Sequence, residues 1–269
     1  MDLRTKNKRL GEILREMDEV IVAFSAGIDS TFVLARALEE LGDKVLAVTA
    51  ASETFPEREL NEAIELAQKV GARHEVIQIK EMENPNFVAN NPDRCYHCKT
   101  GLYSSLTQLA KERQIPWILD GANMDDLGDY RPGRRAAKEY EIRSVLQEAD
   151  LYKEELRQLA REMGLPNWDK PSFACLSSRI PYGNIITMEK VEQLDRGEEA
   201  LRKMGFRQLR IRHHDTIARI EVPREEFALV LQMADQITEV LKGEGFAYVT
   251  LDLQGYRSGS MNETLLKVL

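Results

Sequence analysis

Residues 19–24 (EVIVAF) form an unbroken apolar run, and from 30 to 40 the apolar positions recur at helical spacing until Gly42. This pattern predicts a strand, a turn (SAGIDS) and a helix. KVLAVTA (44–50) predicts a second buried strand, followed by a helix that starts near Pro56 and closes at Gly71. HEVIQI (74–79) is a third strand. Residues 80–93, rich in Asn and Pro, read as a loop leading into CYHC (95–98) and a helix over about 99–113. PWILD (116–120) is a fourth buried strand and runs directly into GANMDDLGDYRPG.

Apolar strands that alternate with amphipathic helices imply a parallel, doubly wound α/β sheet with helices on both faces. Ligands of such sheets bind outside the C-terminal strand ends, where both SAGIDS and GANMDD lie. A helix over about 152–163 ends at Gly164 and Pro166, and an irregular stretch, NWDKPSFACLSSRIPYG (167–183), follows. The rhythm then changes to helix (187–204), strand (206–213), strand (216–222), helix (224–241) and strand (246–252). The expected organisation is one large α/β domain over 1–183 and a smaller α+β domain over 184–269.

Composition narrows the function classes. Of 269 residues, 43% are apolar and 30% charged, enough to bury a core, so extensive disorder is excluded. With 37 basic and 45 acidic side chains the net charge is −8, which disfavours nucleic acid and anionic lipid as partners. The charged N-terminus, MDLRTKNKRLGEILREMDEV, lacks the apolar core of a signal peptide, and no run reaches transmembrane length. A cytoplasmic location is expected. Three cysteines, Cys95, Cys98 and Cys175, are too few for a disulfide framework.

A turn between a strand end and a helix start aims backbone N–H groups and the positive end of the helix dipole at one point, which suits phosphate. Ser25, Gly27, Ser30 and Thr31 supply small residues and hydroxyls there, and Asp29 sits among them. The loop lacks both the Lys-containing GxxxxGK[ST] pattern and GxGxxG. It resembles instead the SGGxDS pyrophosphate-binding loop of the PP-loop ATP pyrophosphatases, which implies ATP as a ligand and its cleavage to AMP and pyrophosphate. Ala26 replaces the usual second Gly, a change that a negative φ at that position tolerates and a positive φ does not. The bland alternative is an ordinary turn with Asp29 as helix N-cap. Asp125 and Asp126, beyond the fourth strand, are candidates to hold the Mg²⁺ of ATP, or else are turn caps.

The CxxC brings two thiols close enough to share a metal or cluster, and Cys175 offers a third. Three ligands are poor for structural zinc, which normally takes four, and the His97 side chain within the CxxC should point away. A [4Fe-4S] cluster on three cysteines leaves one iron open to hydrosulfide or substrate. Zinc with a further ligand, a redox CxxC and buried inert thiols are the alternatives. The stretch 170–183 is expected to be poorly held without its cluster.

With SAGIDS, GANMDDLGDYRPG (121–133), DKPSFACLSSRIPYG (169–183) and RIRHHDTIARIE (210–221) in view, nearly the whole chain resembles the LarE family of ATP-dependent sulfur transferases of nickel-pincer nucleotide biosynthesis. The resemblance implies adenylation of a carboxylate of pyridinium-3,5-biscarboxylic acid mononucleotide, then conversion to a thiocarboxylate. Family members with one cysteine matching Cys175 sacrifice its sulfur. Those with the added CxxC carry a cluster, and Cys95 and Cys98 place this chain among them. The resemblance further implies a PP-loop (adenine nucleotide alpha hydrolase-like) fold, a separate sulfide source and a homo-oligomer, with a hexamer expected.

Ser178 and Arg179 resemble family positions lining the substrate site, or else Arg179 merely pairs with a nearby carboxylate. Glu198 and Glu221 match acidic positions near that pocket and are candidates for a divalent cation, or else are exposed helix and strand charges. Arg210 and Arg212 alternate onto one face of a predicted strand that also carries His213 and His214. Guanidinium groups of that kind suit the substrate's phosphate; the bland alternative is a solvated basic strand. Two other readings stand beside this one: a different PP-loop enzyme, such as a tRNA thiolase or amide-forming ligase, and a nucleotide-binding regulatory module with a structural metal.

Overall fold

The computed structural model describes residues 1–128, 132–171, 174–257 and 259–263. In chain order its helices are α1 (Leu3–Arg15), α2 (Ile28–Leu41), α3 (Glu57–Lys69), α4 (Pro85–Val88), α5 (Arg94–Arg113), α6 (Gly133–Glu139), α7 (Val145–Glu148), α8 (Lys153–Glu162), α9 (Met188–Lys203), α10 (Phe227–Gln232) and α11 (Ala234–Gly243). The strands are β1 (Val20–Ala23), β2 (Val45–Ser52), β3 (Arg73–Ile79), β4 (Trp117–Leu119), β5 (Arg210–His214), β6 (Ile217–Glu221) and β7 (Tyr248–Leu251). No helix among the described residues is long and apolar enough to cross a membrane.

The chain divides into two compact units. The first comprises Met1–Glu81 and Cys95–Ser172, and the second Met82–Arg94 and Phe173–Leu269. The division therefore differs from the one expected at residue 183. Segment 82–94 and the Cys175 stretch go with the C-terminal elements, because side chains of 82–94 hydrogen-bond to the backbone after Cys175.

The first unit contains the parallel sheet, in the order β3-β2-β1-β4. Val20 pairs with Val45 on one side and Trp117 on the other, so β1 is central. Its residues alternate between two cores. Val20 and Val22 join Leu10 and Leu14 of α1, Phe32 and Val33 of α2, and Leu156 of α8. Ile21 joins Tyr103 and Leu106 of α5 on the opposite face. Burial of both faces explains why these strands read as continuous apolar runs. Because chain order reverses between β1 and β4, their C-terminal ends form the switch point at which such sheets bind ligands.

The short helices α4, α6 and α7 were not expected, and three further elements differ from the sequence pattern. Helix α5 begins at Arg94, so the CxxC lies within its first turn; that turn has too few apolar residues to announce itself by periodicity. Helix α1, capped by Asp2, precedes the sheet. The expected 224–241 helix is a short 3-10 turn followed by α10 and α11, broken at Met233 (φ −99°, ψ 15°). In the second unit β5 and β6 are antiparallel and β7 adds to β6 in parallel, giving the expected small α+β arrangement with α9 and α11.

Candidate functional site

In the first unit the backbone shapes the SAGIDS loop. Gly27 is the N-cap of α2 in an extended conformation, so no side-chain oxygen covers the first helical N–H groups, and they remain for an anion. Asp29 is inside the first turn and is not the cap. The loop is closed by its own hydroxyls: Ser25 N donates to Ser30 Oγ (3.3 Å), and Ser30 Oγ and Thr31 Oγ1 both donate to the Gly27 carbonyl (3.1 and 2.9 Å). Ala26 is fully buried with φ +53°, the left-handed region that the usual glycine would occupy without strain.

Residues the sequence pattern did not single out hold this loop from behind. Asn167 Nδ2 donates to the Ala26 carbonyl (3.0 Å) and to Thr31 Oγ1 (2.9 Å). Its buried Oδ1 has no hydrogen-bond partner among the described residues. Asn123 Nδ2 donates to Asp29 Oδ1 (3.2 Å), and the Lys153 ammonium donates to Asp29 Oδ2. Gly121 is required by close approach: a Cβ there would lie 2.9 Å from Ser30 N. Asp126 accepts the Asn123 N–H, and Asp125 accepts the N–H of Lys153 at the start of α8, so both carboxylates act as caps. Asp120, at the end of β4, accepts from Tyr103 Oη (3.1 Å), Ser144 Oγ (2.8 Å) and Ala122 N (3.1 Å).

Side chains build the corresponding region of the second unit. Arg179, fully buried, grips Glu198 with two parallel bonds (Nε–Oε1 2.8 Å, Nη2–Oε2 3.0 Å). Arg202 and the Ile211 N–H fill the remaining acceptor positions of Glu198. Burial works to raise the Glu198 carboxyl, but Arg179, Arg202 and Arg210 overcome it and hold the group down to about 2. Glu221 is likewise taken by Arg212 (2.7 Å), Arg219 (3.1 Å) and Ser260 Oγ (3.3 Å). Both glutamates are fully buried and engaged by guanidinium groups, so neither is the exposed helix or strand charge of the bland alternative.

Arg210 and Arg212 lie on one face of β5, as the alternation predicts, and both are buried. Burial, reinforced by the positive charge of Arg179, pushes Arg210 down to about 10. Its guanidinium stacks over Tyr256 (5.3 Å). Arg212 Nη1 donates to the Ser178 carbonyl (3.0 Å), while its buried Nε has no hydrogen-bond partner among the described residues. Ser178 Oγ accepts from Arg179 Nη1 (3.0 Å). Guanidinium groups outnumber carboxylates among these residues, an excess of positive charge that suits an anion.

Cys95, Cys98 and Cys175 are thiols of intermediate burial, and no disulfide joins them. Cys95 and Cys98, three positions apart in the first turn of α5, share a helix face in the first unit. Tyr96 between them is fixed by Glu139 (2.8 Å) and by Arg135 stacked over its ring (3.6 Å). Cys175 belongs to the second unit, where its Sγ accepts from Ser177 Oγ (3.0 Å) and its carbonyl from Arg179 Nη1 (3.0 Å). Ser172 and Phe173, within the stretch expected to be poorly held, and residues 129–131 of the GANMDD run lie outside the described residues. From Cys175 onward the stretch is held by the bonds just given. Among the described residues no group of three or more metal-ligating side chains stands assembled.

Residues 7–94 match the NAD synthase family. The pyridinium-3,5-bisthiocarboxylic acid mononucleotide synthase of Lactiplantibacillus plantarum is 43% identical over 266 residues, covering 98% of this chain and 96% of that protein. An uncharacterized protein of Synechocystis is 43% identical over 267 residues, 98% of this chain and all of its own length. The NH3-dependent NAD+ synthetase of Hyperthermus butylicus is 29% identical over 191 residues, 65% of each chain.

Proposed function

The chain belongs to the LarE family of ATP-dependent sulfur transferases within the PP-loop superfamily, and from that premise we propose that it adenylates a carboxylate of pyridinium-3,5-biscarboxylic acid mononucleotide and converts it to a thiocarboxylate. The observation that carries this reading is the open N-terminus of α2, capped by Gly27 and backed by Asn123, Lys153 and Asn167. Backbone N–H groups there suit the pyrophosphate part of ATP. Lys153, freed from Asp29, supplies a mobile positive charge for the departing pyrophosphate, and Asp29 an anionic partner for Mg²⁺.

A substrate carboxylate oxygen attacks the α-phosphorus and pyrophosphate leaves. The free carboxylate is a poor acceptor because its charge repels a nucleophile; joined to AMP it is neutral at carbon and has a good leaving group. Sulfide then adds to the acyl carbon and AMP departs. Arg210 and Arg212 bind the substrate's phosphate, with Ser178 and Arg179 shaping that subsite.

Three reduced thiols are a donor set suited to iron and sulfide. Cys95, Cys98 and Cys175 would hold a [4Fe-4S] cluster, which supplies, when bound, an iron with an open position for hydrosulfide. A separate sulfide source and a homo-oligomer, a hexamer as the resemblance implies, complete the reading. The test is anaerobic incubation with ATP, the biscarboxylic mononucleotide and sulfide, measuring pyrophosphate, AMP and the product by mass spectrometry. Pyrophosphate release that depends on the mononucleotide is the expected result. Its absence under tight nucleotide binding would sink the proposal.

A further inference from the structure

Asn167 is buried and lies in the first unit, as does the SAGIDS loop it touches. The segment that carries it is fixed on both sides. The Asn167 carbonyl accepts the Lys170 N–H (3.0 Å), and the Lys170 ammonium is held by Glu59 and Glu62 of α3 (3.0 and 2.8 Å). Arg157 of α8 donates to the Trp168 carbonyl (3.2 Å), and Arg161 of the same helix lies over the Trp168 ring (5.1 Å). The Asn167 side chain therefore projects from a rigid base.

Chemistry sets the orientation of its amide. The Ala26 carbonyl can only accept, so the atom that faces it at 3.0 Å is the NH2 nitrogen. The same NH2 group donates to Thr31 Oγ1 (2.9 Å), and Thr31 Oγ1 donates onward to the Gly27 carbonyl (2.9 Å). One amide thus holds the Ala26 carbonyl directly and the Gly27 carbonyl at one remove. In a trans peptide the N–H and C=O point in opposite directions. Turning these two carbonyls towards Asn167 and Thr31 therefore aims the Gly27 and Ile28 N–H groups the other way, where an anion at the start of α2 would lie.

The residue at 26 makes this brace matter. Glycine would hold φ +53° without strain, whereas alanine is drawn back towards negative φ, which would re-aim the peptide that follows. We propose that Asn167 is a positioning residue of the phosphate loop that does the work of the absent glycine, holding the Ala26 peptide so that the N–H groups behind it face the pyrophosphate part of ATP. The proposal rests on the reading of the loop as an ATP site.

The test measures ATP and AMP binding to the full-length chain by calorimetry, with Asn167→Ala made alone and together with Ala26→Gly. Asn167→Asp, of nearly the same shape but without the NH2 donors, is made in parallel. With alanine at 26, each Asn167 variant is expected to weaken ATP about tenfold, the effect of leaving a buried acceptor without its donor. AMP lacks the β and γ phosphates and should weaken by less than about threefold. With glycine at 26 the same substitutions should weaken ATP by less than about threefold, because the two positions are coupled through one peptide. A tenfold loss in both backgrounds, or no loss in either, overturns the proposal. So does an equal loss of ATP and AMP, which a general loosening of the fold would give. An unsubstituted chain that binds no ATP overturns the ATP reading itself, and the role of Asn167 with it.

Discussion

The SAGIDS loop of the first unit and the β5–β6 region of the second, both proposed above as anion sites, are made of different material. In the loop the donors are backbone N–H groups at the start of α2, and side chains such as Asn167 and Asn123 only hold the backbone in shape. In the β5–β6 region the donors are guanidinium groups, kept in place by the buried carboxylates of Glu198 and Glu221. A backbone site carries no buried net charge when empty. A side-chain site does, and its stability depends on the carboxylates that balance it.

The largest expected effect breaks that balance. Glu198→Gln removes the partner of Arg179 and Arg202 without changing shape and should cost about 3–5 kcal/mol. A fall in melting temperature of roughly 10 °C would follow for a chain of this size; a shift under 2 °C would show that the arginines need no internal counter-charge. Acid gives the same information by titration. The Glu198 carboxyl is held below its ordinary value, so its contribution is complete above about pH 4.5 and is lost as pH falls towards about 2. Melts across that window should lose their extra acid sensitivity in Glu198→Gln.

At the loop the effect should appear in chemistry and leave folding almost untouched. The Lys153 and Asp29 side chains are 29% and 24% exposed, so their ion pair is worth little to stability, at most about 1 kcal/mol. Lys153→Met is expected to melt like the unsubstituted chain while substrate-dependent pyrophosphate release falls about 100-fold. Unchanged release would remove Lys153 from the site, and a large loss of stability would mean that the two regions are built more alike than argued above.

The same contrast governs what could be read in the sequence. A backbone site needs small residues at fixed spacing after an apolar strand, and Ser25, Gly27, Ser30 and Thr31 display that locally. Its supports were invisible: Asn123, Lys153 and Asn167 meet Asp29 and Thr31 only after folding, across separations of about a hundred residues or more. Arg210 and Arg212 were legible as a pair by strand alternation, but the partners that fix Glu198 and Glu221 come from a helix, two strands and two short 3-10 turns. The domain boundary was misplaced for a related reason. Nothing in the composition of 82–94 announces that Asn90 will spend its amide on carbonyls ninety positions later.

Ala26 gives the smallest effect and the sharpest test of the backbone side of the comparison. Its φ of +53° costs an L-residue about 1–2 kcal/mol, and a glycine there would release that strain. The gain is offset by a buried methyl worth about 0.8 kcal/mol and by the extra freedom glycine brings to the unfolded chain, about 0.4–1 kcal/mol. Ala26→Gly should therefore leave the melting temperature within about 3 °C. Ala26→Val cannot make the same exchange, since a β-branched side chain is an outlier in the left-handed region and has no room where the alanine is already fully buried. It should be destabilised by about 2 kcal/mol or more and lose ATP binding with it. If valine were accepted as readily as glycine, the loop would not depend on this backbone conformation, and the phosphate site would have to be re-read as one built from the Ser25, Ser30 and Thr31 hydroxyls.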